Sequence, residues 1–198
     1  MWVPCLPTGR HQSIKINYIW MKRLILTFFF TILAFGVLFS QAGKLKVGLK
    51  VPEWVFPDAD KKEFTMNSWP GKVLHINYVD PDESHLNDEF NDAVEKAIKI
   101  DKRIDIENYM GFGIVDTKST WKPNSLIRAM AGNRAKRYNT TVLFDFDGKL
   151  QSDWGLPKDS YTVAIVDKNR VCRYIHSGKI PATEHEKIIR LIIELTKE

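Results

Sequence analysis

The sequence predicts an α/β domain of three layers: a central mixed sheet with helices on its faces, an N-terminal arm and an extra β-hairpin. Three observations predict it. Two strand-then-helix units follow one another, which favours parallel pairing of their strands. The C-terminal third then changes to short strands separated by turn residues, which favours antiparallel pairing. The chain closes on one amphipathic helix.

The elements can be taken in order. Residues 44–60 mix Pro52 and Pro57 with Val51, Trp54, Val55 and Phe56, which suits an extended arm with a short strand or hairpin. Trp69-Pro70-Gly71-Lys72 punctuates the chain, and residues 73–79 form a β-branched and aromatic run of strand length. The following helix takes Ser84 as N-cap and places Leu86, Phe90, Val94, Ala97 and Ile98 on one face.

In the second unit residues 111–117 are strand-like. Pro123 occupies the first helical position, and Leu126, Ile127, Met130 and Ala131 mark the buried face. Residues 141–146 run into an Asp147-Gly148 turn, read as a hairpin. Residues 162–166 and 171–176 flank a Lys168-Asn169-Arg170 turn. Thr183-Glu184-His185-Glu186 is a capping box for a last helix that turns Ile188, Leu191, Ile192 and Leu195 inward.

The first 42 residues stand outside this pattern. Met21-Lys22-Arg23 opens a positive segment, residues 24–39 are almost wholly apolar, and Ser40-Gln41-Ala42 has the small residues of a cleavage site. That is a secretory signal over 21–42, and its apolar run is shorter than the roughly 20 residues a membrane span needs. Residues 1–20, with Cys5, are read as an extension upstream of a start at Met21, and residues 43–198 as the mature domain. Export implies a periplasmic location and no stable membrane insertion after cleavage.

The leader holds four of the chain's 29 bases and none of its 24 acids, leaving 25 bases against 24 acids in the domain. Such balance excludes the global basic footprint of a dedicated nucleic-acid binder. One cysteine, Cys172, remains beyond the leader, so no internal disulfide holds the domain together.

Several local patterns resemble a known superfamily. Gly48-x-x-x-Pro52 is followed by Phe56-x-Asp58, and Gly71-Lys72-Val73-Leu74 leads to Asn77-Tyr78. Trp154-Gly155-Leu156 and Ala164-Ile165-Val166-Asp167 come later. Together with the element order they resemble the thioredoxin-like fold in its peroxiredoxin and extracytoplasmic thiol-oxidoreductase variants. Laid over this chain, the resemblance puts the two redox cysteines at Glu83 and Leu86 and the facing cis-proline at Tyr161; all three are replaced. A narrower likeness, through His75-Ile76, residues 117–127 and residues 159–171, is to the YtfJ-type family of periplasmic proteins. That family carries no agreed catalytic residues, so the resemblance transfers none.

Four readings of chemistry follow. Thiol redox work needs an accessible thiolate of lowered pKa; Cys172, in a strand far from the elbow, reads as a packing residue, with a one-cysteine redox protein as the alternative. Asp80, Asp82, Glu83 and His85 crowd the elbow, but acids at a helix N-terminus are favoured by its unpaired amides and dipole, so no metal is assigned. Residues 143–150, Leu-Phe-Asp-Phe-Asp-Gly-Lys-Leu, resemble the opening motif of haloacid-dehalogenase-type phosphatases, with Asp145 as nucleophile, Asp147 as acid/base and magnesium between them. A turn explains the same residues without an enzyme. Gly111-Phe112-Gly113 begins a strand and is no phosphate loop. The expectation is a binding or accessory protein of the envelope without a cofactor. It would take a small ligand, a peptide segment or an envelope protein through Asp80, Asp82, Glu83, His85 and Tyr161.

Overall fold

The computed structural model describes residues 44–198, so the readings on the leader and on Cys5 lie outside the described residues. A five-stranded sheet forms the centre: β3 (Val73–Val79), β4 (Tyr109–Asp116), β5 (Thr141–Asp145), β6 (Tyr161–Val166) and β7 (Cys172–Ser177). Their order across the sheet is β5-β4-β3-β6-β7. β3, β4 and β5 are parallel, whereas β6 is antiparallel to both β3 and β7. The two crossovers carry α1 (Asp88–Lys99) and α2 (Asn124–Tyr138), as expected of parallel neighbours. A separate hairpin of β1 (Val55–Pro57) and β2 (Glu63–Thr65) belongs to the arm.

Strand alternation divides the interior. Leu74, Ile76 and Tyr78 of β3, with Phe112 and Ile114 of β4, point to the face covered by the arm and by α3 (Lys149–Trp154). Trp54, Phe56, Trp154 and Cys172 close that core. Val73, Val79, Tyr109, Val163 and Ile165 point to the other face, under α1 and α4 (Ala182–Lys197). Phe144, the register partner of Val115, packs with Ile127 and Ala131 and so sets α2 on this second face. The arm also runs beside β7: Gly48 N–H donates to the Cys172 carbonyl at 2.8 Å and Cys172 N–H to that of Leu49 at 2.9 Å.

Five local readings are corrected. Residues 141–148 are not half of a hairpin, because β5 pairs parallel with β4. Asp147-Gly148 instead turns into α3, since the Asp145 carboxylate accepts the amides of Asp147, Lys149 and Leu150, and Leu150 and Trp154 both bury. Ser84 does not cap α1: a 3₁₀ turn (Pro81–Glu83) capped by Asp80 comes first, and the helix begins at Asp88. Pro123 is the N-cap of α2 and not its first residue, its extended ψ of 142° lying outside the helix. Leu126 is exposed, because only Ile127 and Ala131 bury on a helix crossing the sheet near its edge. The box at Thr183 does not form either, since α4 already starts at Ala182 after Pro181.

Candidate functional site

The elbow between β3 and α1 is built by backbone bonds first. The Asp80 carboxylate accepts the Asp82 amide at 2.8 Å, and the Asp80 carbonyl accepts that of Glu83 at 3.0 Å. Asp80 is therefore a buried turn-former and offers no surface carboxylate. Its own amide donates to the Ser160 carbonyl at 3.1 Å, which ties the elbow to the loop entering β6. Asn87, also buried, donates to the Gly178 carbonyl at 3.0 Å and accepts from Ile180 N–H at 2.8 Å, so the β7–α4 loop closes the same end of the sheet.

Asp82, Glu83 and His85 remain at or near the surface. Asp82 bonds Lys122 and takes a 2.8 Å hydrogen bond from Thr120; these bonds, Lys122 first, hold its carboxyl below the usual range. His85 Nδ1 lies 2.8 Å from Asp88, and Arg134 of α2 donates to Asp88 at 2.6 Å and also to the Ser84 carbonyl. Partial burial pulls Asp88 upward, but the bonds from His85 and Arg134 outweigh it and leave the carboxyl below its ordinary value. Asp82 and Asp88 are thus each matched by a cation from the segment around α2, Lys122 and Arg134 respectively. Among the described residues no three His, Cys, Asp or Glu side chains gather as metal ligands.

Tyr161 lies beside the elbow, as register partner of Val79, but it is buried and offers no surface. Its hydroxyl donates to Asn77 Oδ1 at 3.1 Å and accepts from Asn91 Nδ2 at 2.9 Å, a bridge from β6 through β3 to α1. Burial pushes its phenol pKa up. The partners Lys122, Thr120, Arg134, Asn77 and Asn91 had no signal in the sequence, because each reaches the elbow only through tertiary folding.

The alternative chemistries fare differently. Cys172 is fully buried in β7, on the face opposite α1, and burial pushes its thiol up to about 11. Exchange requires an accessible thiolate, and burial of this thiol works against both access and ionisation. Asp145 is 1 % exposed, and its two oxygens take Tyr78 O–H and the Lys149 and Leu150 amides. A nucleophile needs a free lone pair aimed at solvent or substrate. Asp145 spends its lone pairs on the turn into α3.

The sheet order, the two crossovers and the antiparallel return through β6 and β7 define the thioredoxin-like class. The chain belongs within it to the family described as bacterial proteins of unknown function (YtfJ_HI0045), which matches residues 55–195. Solved structures of similar fold include the exposed lipoprotein thioredoxin Etrx1 of Streptococcus pneumoniae. It is 21% identical with TM-score 0.53, and the match covers 73% of this chain and 100% of that one. A peroxiredoxin-like protein from Aquifex aeolicus is 20% identical, with TM-score 0.53 over 77% and 89%. The thioredoxin domain of a thiol-disulfide oxidoreductase from Bacteroides vulgatus is 11% identical, with TM-score 0.55 over 76% and 99%. No curated protein matches the chain. At these identities the likeness concerns the fold.

Proposed function

We propose that this protein is an exported thioredoxin-fold protein that acts by binding, without thiol chemistry. The observation that carries the reading is the separation of the two features redox work must unite. The elbow carries no cysteine, with Glu83 and Leu86 at the positions the resemblance assigns to the redox pair, and Cys172 is buried on the opposite face of the sheet. The leader pattern at 21–42 supports export. Among the described residues no helix is long and apolar enough to cross a membrane. An envelope protein or peptide is the expected partner, with Asp82, Glu83 and His85 as the presented side chains. Some structural relatives are described as thioredoxins or thiol-disulfide oxidoreductases, so the discriminating assays are insulin-disulfide reduction and peroxide consumption. Both should stay at background. Activity that disappears in Cys172→Ser would overturn the reading in favour of a one-cysteine redox protein.

A further inference from the structure

Residues on the α1 face of β3 and β4 leave part of the sheet bare. His75 and Asn77 of β3 stand opposite Gly111 and Gly113 of β4 in the register. The two glycines place no side chain on this face, and between the sheet, α1 and α2 lies a cavity of about 810 Å³. Pockets of roughly 300–1,000 Å³ are the size that takes small ligands.

Each glycine has its own reason. A Cβ on Gly111 would meet the Tyr109 hydroxyl at 2.7 Å, so Gly111 lets the Tyr109 ring lie along its own strand. There the hydroxyl reaches 2.8 Å from His75 Nδ1. Gly113 is different: a Cβ there meets nothing closer than 3.8 Å, so its floor is open by composition and not by crowding.

The lining is apolar with a few polar groups. Val94, Ile98, Ile127, Met130 and Val142 supply walls from α1, α2 and β5. His75 is 2 % exposed, and its Nε2 has no hydrogen-bond partner among the described residues. The Tyr109 hydroxyl has no other hydrogen-bond partner among the described residues, so it donates to Nδ1, which leaves the proton on Nε2 without an acceptor. A buried unmet donor costs about 1–3 kcal/mol, which an acceptor brought by a ligand would recover. Basic side chains around the cavity outnumber acidic ones five to two. Arg134 and Arg137, near the elbow, already pair with Asp88 and Asp92. At the other end Lys72, just before β3, donates to the Ile106 carbonyl at 2.9 Å, and Lys102 follows α1.

We propose that this cavity binds a small carboxylate with an apolar body, of the class of a medium-chain fatty acid. Its chain lies over Gly113, beside the Tyr109 ring that covers Gly111, and its head meets the basic side chains on the Lys72 side. The proposal gives the binding reading above a ligand class at an internal site beneath the elbow. Burial holds the His75 imidazole at about 4, neutral at physiological pH, which suits it to donate one hydrogen bond without demanding a full counter-charge.

The test uses protein purified from cells expressing the full chain, with decanoate as probe and displacement of anilinonaphthalene sulfonate as readout. Decanoate should bind saturably at one site, and Gly113→Leu, which fills the floor while keeping the strand, should weaken it by about tenfold or more. No saturable binding, or equal affinity in Gly113→Leu, would overturn the site. Should that variant not fold, amide and imidazole NMR of the unaltered protein decides: shifts at Gly113 and His75 on adding decanoate support the cavity, and shifts confined to the surface refute it. Decanol binding as tightly as decanoate would remove the carboxylate from the assignment. Failure here would leave the redox-inactive reading standing, whereas thiol activity would sink that reading and leave decanoate binding unmoved.

Discussion

Strand β4 presents two unlike faces to the interior. Phe112 and Ile114 point into a core of Leu74, Ile76 and Trp154, with Phe112 stacked on Trp69 at 4.5 Å between ring centroids. On the other side of the same strand Gly113 leaves an open floor, and Gly111 makes room for the Tyr109 ring. The contrast separates two tasks. Close packing on the arm side holds the fold, as dense interiors do, while the α1–α2 side keeps a space with polar groups at its floor. This division also accounts for the burial of Cys172, which lies on the closely packed face.

The largest test of the comparison removes one side chain from each face. Trp154→Ala, on a fully buried ring, should cost about 3–5 kcal/mol. In calorimetry that is a melting temperature lower by about 10 °C or more. Met130→Ala borders the existing cavity and should cost less than about 1 kcal/mol, because no new void is sealed. Equal losses would mean that both faces bear load alike.

Next in size is the response to acid on the hollow face. The folded pKa of His75 is lowered from 6.5 to about 4 by burial, with the nearby Asn77 side chain acting the other way. A depressed folded pKa contributes stability that is present above 6.5 and lost as pH falls through about 4. The amount is about 3 kcal/mol, one proton over that interval. Urea unfolding between pH 7 and pH 4 should show this slope, and His75→Phe should flatten it. An unchanged slope in the variant would place the acid sensitivity elsewhere.

Much of the fold was legible because its signals are local. The run at 73–79 and the turn at 168–170 need only composition and period. The turn is made as its residues suggest, with the Asp167 carboxylate accepting the amides of Asn169 and Val171 at 2.9 Å each. Helix starts were misread where several capping residues compete, as Asp80, Ser84 and Asn87 do around the elbow. Asp147-Gly148 misled because it serves a hairpin and a helix entry equally well, and only the buried pair Leu150 and Trp154 tells them apart. The elbow was legible as a place, yet its cation partners were not, since Lys122 and Arg134 lie about 40 and 50 residues away in sequence. The cavity was illegible for a related reason. Gly111 and Gly113 become a floor for His75 and Asn77 only through the β3–β4 register, which no single strand encodes.

The central claim is that this fold works here without its thiol chemistry, and the accessibility of Cys172 measures it most directly. Mass spectrometry after exposure to a thiol alkylating reagent should find Cys172 unmodified in the native protein and fully modified in denaturant. Rapid native labelling, at a rate rising toward neutral pH as for a low-pKa thiolate, would contradict the account.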